Sequence, residues 1–521
     1  MNEQRGDETG RDGDATSADS ISKDSKSRDS VPGDSISLGG KLAFGVGATG
    51  EAVFLSLFNG FIVIYYNQVI GLSNGLIGTA VMLALIGDAI TDPVVGIISD
   101  RWRGSFGRRH PFLLAAPIPM VLSIFCIFSP PEAFTEGADG PSQMYLFAWL
   151  SFWTILSRLF VTLYQIPHLA LGGELTKDQH QRSQLFSANT VFNFVTLATF
   201  AFVAWGYFFA GERVRESDGE VVPGHLYAAS YGPLVMTACA VILISIWTCA
   251  AGTWKYIPNL SKAPSELQRM TPIAFVKAIA GTFKNRNYLV LLIGFFFFMI
   301  TSGIYDTLEV FLVTYFWELK PDQIKWFGLA AAPAALAGAV LSPWLMRKFD
   351  RKPVMMTALA GTLIFAQLTV DLRLLGLIFE NGHPALLPIL LANRAGFAFT
   401  LGVGAVAILS MIGDVIDDNE LQTGKREEGL FYSARSFFAK ASGSFGHFFA
   451  GILLELYVRM PFEAVPGQLD SGTLFRIGIV AGPVMAVAAF IALFIYSRYD
   501  LSRERHQEIR RLLNERAQSS D

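Results

Sequence analysis

Asp88 and Asp92 stand four residues apart in the string GDAITDP, within an apolar run long enough to cross a bilayer. A lipid-facing carboxylate near the membrane centre costs at least about 2.5–3.5 kcal/mol, so both must face protein and find partners. On a helix this spacing puts them on one face, one turn apart. There they repel each other unless a cation lies between them or one holds a proton. The chemistry is that of an oxygen-lined Na⁺ site or of a proton carrier. Lys440, among small residues in FFAKASGSFGHFF, reads equally as their counter-charge and as a lysine snorkelling to the interface. Thr162 alone reads as a hydroxyl bonded to a carbonyl of its own helix. His168 reads as a locally hydrogen-bonded histidine, and Arg158 and Gln165 share its segment. Glu51, after GVGATG, could point into a central cavity, whereas Asp306 and Glu309 in YDTLEV fall in the outer third of their span, where a charge costs little.

These groups must be held by membrane-spanning elements. The 521 residues are 52% hydrophobic and 16% charged, too apolar for a soluble chain of this length. The net charge of −3 and the scattered basic residues exclude a nucleic-acid partner. Cys126, Cys239 and Cys249 sit in apolar runs without a CxxC or Cys/His cluster, so neither a disulfide framework nor a zinc site is expected. HExxH, GxSxG and phosphate-loop motifs are missing, which argues against an enzyme, and no cofactor is expected.

Twelve apolar runs are expected to span, at 41–68, 74–99, 112–130, 143–171, 185–210, 231–252, 288–316, 325–346, 354–373, 384–411, 430–457 and 473–497. The first forty residues, rich in Ser, Asp and Gly, predict a disordered tail with no secretory signal. Basic residues crowd the loops on the tail's side: Arg101, Arg103, Arg108 and Arg109, then Lys177 and Arg182, then Arg347, Lys348, Arg351 and Lys352, then Lys425 and Arg426. This bias predicts both termini in the cytoplasm, in a cell inner membrane. The hydrophobic pattern breaks longest at 254–286, and DRWRGSFGRRHP from Asp100 is echoed by MRKFDRKP from Met346. The expected organisation is therefore a tail (1–40), a six-helix bundle (41–252), a linker (253–287), a second six-helix bundle (288–497) and a C-terminal tail (498–521). Such parallel repeats enclose a central site in many transporters.

From Lys41 to about Tyr457 the chain resembles the glycoside–pentoside–hexuronide:cation symporters of the major facilitator superfamily. The likeness is densest in KLAFGVGATGE, GDAITDPVVGIISDRWRGSFGRRHP, QIPHLALGGELTKDQHQRS and MIGDVIDDNELQTGKREEGLFYSARSFFAKASG. The resemblance implies an all-α major facilitator fold and alternating access, with Na⁺ or H⁺ as the coupling ion. It places the family's cation site on Asp88, Asp92, Thr162 and Lys440, the first three being the ligands if the ion is Na⁺. Where the resemblance implies two aspartates, an arginine and a tryptophan for galactoside binding, this chain has Ala52, Gln165, Leu85 and Leu169. The implied solute is therefore another sugar or glycoside, held by Gln165, Glu51, Asn193 and Asn393. A lysophospholipid is the alternative, since the sodium-dependent lysophospholipid symporters look similar at GDAITDP; the GRRHP turn looks like that of sucrose–proton symporters. Asp100, Arg101, Arg108 and Arg109 are expected to latch the two bundles together, or merely to set topology. A uniporter or sensor on the same fold would need no coupled ion. The expected partners are a small solute, the cation and the bilayer, for a monomer.

Overall fold

The computed structural model describes residues 36–518 apart from 105, 136–139, 177, 261–280 and 426. Lys177, Arg426, most of the expected N-terminal tail and the middle of the 253–287 linker lie outside the described residues.

Lipid offers no hydrogen bonds to a bare backbone, so apolar runs of this length fold as helices that satisfy themselves. Among the described residues twelve are long and apolar enough to cross a membrane: α1 (Leu38–Val69), α2 (Asn74–Arg101), α3 (His110–Ile127), α4 (Ser142–Glu174), α5 (Gln179–Phe208), α6 (Ala228–Pro258), α7 (Arg286–Phe316), α8 (Pro321–Phe349), α9 (Arg351–Leu374), α10 (Leu386–Thr423), α11 (Leu430–Val458) and α12 (Ser471–Ser497). Short polar side chains start several of them, each accepting from the first turn: Ser37 from Gly40, Ser73 from Leu76, Asp178 from His180, Asn285 from Tyr288 and Asp470 from Thr473. Large apolar side chains such as Leu122, Phe125, Val340, Phe490 and Phe494 face outward, as lipid requires.

The helices pair by one scheme used twice. In the first half α1 packs on α5 and α6, α2 on α4, and α3 on α4 and α6; in the second α7 packs on α11 and α12, α8 on α10, and α9 on α10 and α12. The halves meet along α2–α11, α5–α8 and α1–α7, the contacts a pseudo-twofold relation between repeats generates. α1, α5, α7 and α11 each finish in a π-helical turn, at Tyr65–Val69, Ala204–Phe208, Leu312–Phe316 and Leu453–Val458, on the face away from the termini. Between α5 and α6 on that far face, β1 (Glu212–Val214) pairs antiparallel with β2 (Val221–Pro223), Arg213 opposite Val222.

Three boundaries differ from expectation. α1 begins at Leu38 with Ile36 already buried, so the expected tail ends earlier than residue 40. α10 runs on to Thr423, past the expected 411, and stops where Gly424 takes a left-handed φ of 71°. The C-terminal segment is not a plain tail: α13 (Arg503–Gln518) docks on the second bundle. It buries Ile509, Arg503 donates to the Met346 carbonyl at 2.6 Å, and His506 lies 3.0 Å from Asp417 and 3.4 Å from Asp414.

Candidate cation and solute sites

Asp88 and Asp92 face α4 and α11. Across the first gap, Arg158 and Thr162 repeat the four-residue spacing on α4, so each aspartate meets one of them. The Arg158 guanidinium pairs with Asp88 Oδ2, its Nε donating at 2.8 Å, and Thr162 Oγ1 donates to Asp92 Oδ1 at 3.0 Å. Across the bundle seam, Lys440 Nζ lies 2.5 Å from Asp92 Oδ2 and 3.7 Å from Asp88 Oδ2. Two carboxylates face two cations, so the cluster is neutral in this arrangement. Asp88 is 2% exposed, and its second oxygen is buried with no partner among the described residues. Phe54 and Phe58 lie under the Arg158 guanidinium, 5.9 Å and 5.2 Å away, and hold it in place.

α11 comes this close because glycines line its contact with α2. A Cβ on Gly451 would sit 2.4 Å from the Asn74 carbonyl oxygen, and one on Gly78 would sit 3.0 Å from that of His447. All four residues assigned to the cation site by sequence are thus brought together. Sequence reasoning noted Arg158 but gave it no role; its i−4 spacing from Thr162, matching that of the aspartates, was the available signal.

The four expected solute residues do not form one group. Gln165 on α4 donates its amide to Glu51 on α1. Asn193 on α5 is half-buried with no polar partner among the described residues. Asn393 donates its amide to the Phe365 carbonyl at 2.7 Å, tying α10 to α9, while its side-chain oxygen is buried without a partner among the described residues. The next residue, Arg394, turns instead toward a cavity of about 490 Å³ enclosed by α1 and α5 on one side and α7, α8 and α10 on the other. Asp306 and Glu309 also line this cavity, as do Ser56 and Asn59. The α7 acids are therefore not spent on an interface with headgroups. His168 bonds the Phe44 carbonyl at 3.0 Å, a contact that ties α4 to α1 rather than a bond within its own helix.

The expected latch between bundles is not formed in this arrangement, in which the far face is the closed one. Arg109 bonds Asp100 at 2.5 Å, Ser99 at 2.7 Å and Glu174 at 2.5 Å, and Arg108 reaches Glu174 at 3.1 Å. Arg101 is exposed, and none of the four meets the second bundle among the described residues. Glu174, at the end of α4, is the acceptor that turns these arginines inward upon their own bundle. The echoed turn behaves alike, Arg351 reaching Asp414 of α10 at 3.0 Å. Each bundle thus braces its second-to-third helix turn against its fourth helix. Further polar contacts that join the bundles lie on the far face. Gln68 donates to the Pro461 carbonyl at 2.9 Å and accepts from Tyr315 and from the Ala464 amide, both at 2.9 Å. Arg215 donates to the Glu463 carbonyl at 2.8 Å, and His225 bonds Thr314 at 2.9 Å.

The family described as MFS/sugar transport protein matches residues 43–503. The uncharacterized symporter sll1374 of Synechocystis is 25% identical, covering 92% of this chain and 97% of its own. The raffinose carrier protein of Pediococcus pentosaceus is 23% identical over 91% of this chain and 71% of its own. Among solved structures, the xylose transporter XylE from E. coli shares the fold at a TM-score of 0.52, with 16% identity over 91% of this chain and 97% of that one.

Proposed function

Because the chain belongs to the MFS/sugar transport protein family, we propose that it is a cation-coupled symporter of a sugar or glycoside, with Na⁺ or H⁺ taken up at Asp88, Asp92 and Thr162. The relatives support a multi-pass solute transporter that is not an enzyme. The observation that carries the finer reading is Lys440, which reaches across the bundle seam to both aspartates.

With Lys440 in place the cluster is neutral, so a cation can enter only by displacing the ammonium. Carboxylate and hydroxyl oxygens suit a hard cation, and the unpartnered oxygen of Asp88 gives it a further ligand. A proton on Asp92 would release Lys440 equally well. Either event breaks the one charged bridge that this cluster makes between bundles, and so changes how firmly α11 is held to α2. Occupancy at the cation site is thereby converted into freedom of the bundles to rock about a midplane site. Solute and cation favour the same rearrangement, so each tightens the binding of the other by an equal factor. The basic loops place both termini in the cytoplasm of a cell inner membrane in this reading. Charged side chains converging in the cavity favour a polar solute over a lysophospholipid.

Proteoliposomes under a Na⁺ gradient, a pH gradient or neither, given labelled sugars and glycosides, test the proposal. Asp92→Asn is expected to abolish gradient-driven accumulation while solute exchange down its own gradient persists. Accumulation by that variant, or wild-type uptake indifferent to both gradients, would leave a uniporter and overturn symport.

A further inference from the structure

The cavity between the bundles contains three ionisable side chains among its described lining, Asp306, Glu309 and Arg394. Arg394 is committed: its guanidinium lies 2.9 Å from Glu309 and donates to the Tyr305 hydroxyl at 2.8 Å. Tyr305 is itself stacked on Phe397, with ring centroids 4.6 Å apart, so the pair is buttressed. Asp306, one helical turn from Glu309, has no hydrogen bond or ion pair among the described residues, although it sits at membrane depth. On the opposite wall the Asn59 amide is likewise without a partner. Charged and amide groups left without protein partners around a cavity between two bundles are free to bind a ligand. The volume falls within the range of small-molecule sites, about 300–1,000 Å³. Aromatic rings, Phe194 and Trp205 among them, line it as well.

Resting on the symporter reading, we propose that this cavity is the solute site, that Asp306 and Glu309 of the second bundle are its principal hydroxyl acceptors, and that it selects neutral glycosides against anionic ones. The first bundle carries no charge at Ala52, Leu85 or Gln165; the second supplies Asp306, Glu309 and Arg394 on the opposing wall. Carboxylates accept from vicinal hydroxyls, and Asn59 and Arg394 donate to ring and hydroxyl oxygens. With both carboxylates ionised, two against one guanidinium give the lining one net negative charge. A hexuronide or sulfonated sugar would bring a second into the cavity, and like charges juxtaposed there repel.

The test is thermal unfolding of the purified full-length protein with p-nitrophenyl glucosides, galactosides, xylosides and the β-glucuronide, each with and without Na⁺ and at two pH values. At least one neutral glycoside should stabilise the wild type and the glucuronide should not. Asp306→Asn and Glu309→Gln should each weaken that glycoside at least about tenfold, the loss of one charge-assisted hydrogen bond. Their stabilisation by cation alone should stay as in the wild type. Because Asp306 has no partner to lose, Asp306→Asn should unfold at the wild-type temperature without ligand. Unchanged glycoside affinity in Asp306→Asn, or a glucuronide that binds as well as the neutral glycosides, overturns the proposal. Loss of the cation response in Asp306→Asn also overturns it, by making the cluster a second cation site. A wild type that answers to cation but to no neutral glycoside overturns the solute class and leaves the cation site standing. Glycoside binding indifferent to cation does the reverse.

Discussion

Asp88 has two carboxylate oxygens, one paired with Arg158 and the other buried without a described partner. Removing one member of a buried ion pair costs about 3–5 kcal/mol, because the other is left charged and dry, whereas replacing both is often neutral. Arg158→Gln should therefore lower the unfolding midpoint strongly, and Asp88→Asn with Arg158→Gln should recover most of the loss. Lys440→Ala should cost less, since Asp92 keeps Thr162 and some exposure, 17% of its side chain; its main effect should fall on coupling. Comparing the unfolding midpoints of the three variants in one lipid or detergent checks this ordering. A double variant no more stable than Arg158→Gln would show that the pair is not an isolated unit. The aspartates were legible in the sequence because two acids at helical spacing in an apolar run have few structural explanations. Arg158 was not, because a lone arginine near a span is so often topological. Asn393 is legible only in part: an amide at membrane depth looks like a ligand, and only the position of Phe365 shows that its N–H is already given to a neighbouring helix while its oxygen is not.

The helices themselves were legible from apolar run length, and the places where the reading stopped short have a common cause. α10 was cut at 411 because Asp414, Asp417 and Asp418 end the apolar run, yet the helix continues, its acids answered by Arg351, His506 and Arg510 from elsewhere in the fold. α13 was taken for tail because its charged sequence has no membrane-like run; only Ile509 and its neighbours, against the second bundle, make it an ordered element. Glycines in α2 and α11 are equally opaque one at a time: Gly87 faces open space, whereas Gly451 touches the α2 backbone. Gly451→Ala should force the two helices apart, at a cost of about 1–3 kcal/mol typical of overpacking, and should lower uptake by lengthening the Lys440–Asp92 bridge. Gly87→Ala should leave both the unfolding midpoint and uptake near wild type. If Gly451→Ala transports normally, close approach of α2 and α11 is not what sets the cation cluster.

For the molecule as a whole, the far-face contacts decide when the bundles separate on that side, and the sequence directed attention to the opposite face, because arginines in a repeated turn resemble a latch. Those arginines brace each bundle internally, while Gln68, Arg215 and His225 close the far face. The closure has a built-in pH dependence. His225 is fully buried, and burial pushes its imidazole down from 6.5 to about 3, so in the closed state it is neutral and bonded to Thr314. Separating the bundles breaks that bond and wets the ring, restoring its ordinary value near 6.5. The open state then binds a proton that the closed state cannot. Opening is consequently favoured as pH falls below about 6.5, by up to about 1.4 kcal/mol, or tenfold, for each unit down toward 3. Asp218 acts in a lower range, since its hydrogen bond from Arg215 holds its carboxyl below the usual carboxylate value and the pair is lost only on stronger acidification. A cysteine at Asn59, alkylated by a membrane-impermeant maleimide from the far side, reports the opening. Its rate, corrected for thiolate fraction, should rise between pH 7.5 and 5.5; in His225→Gln that rise should vanish. Gln68→Ala should raise the rate at both pH values without removing the dependence. A pH rise that survives His225→Gln would place the titrating group elsewhere and overturn this account of the closure.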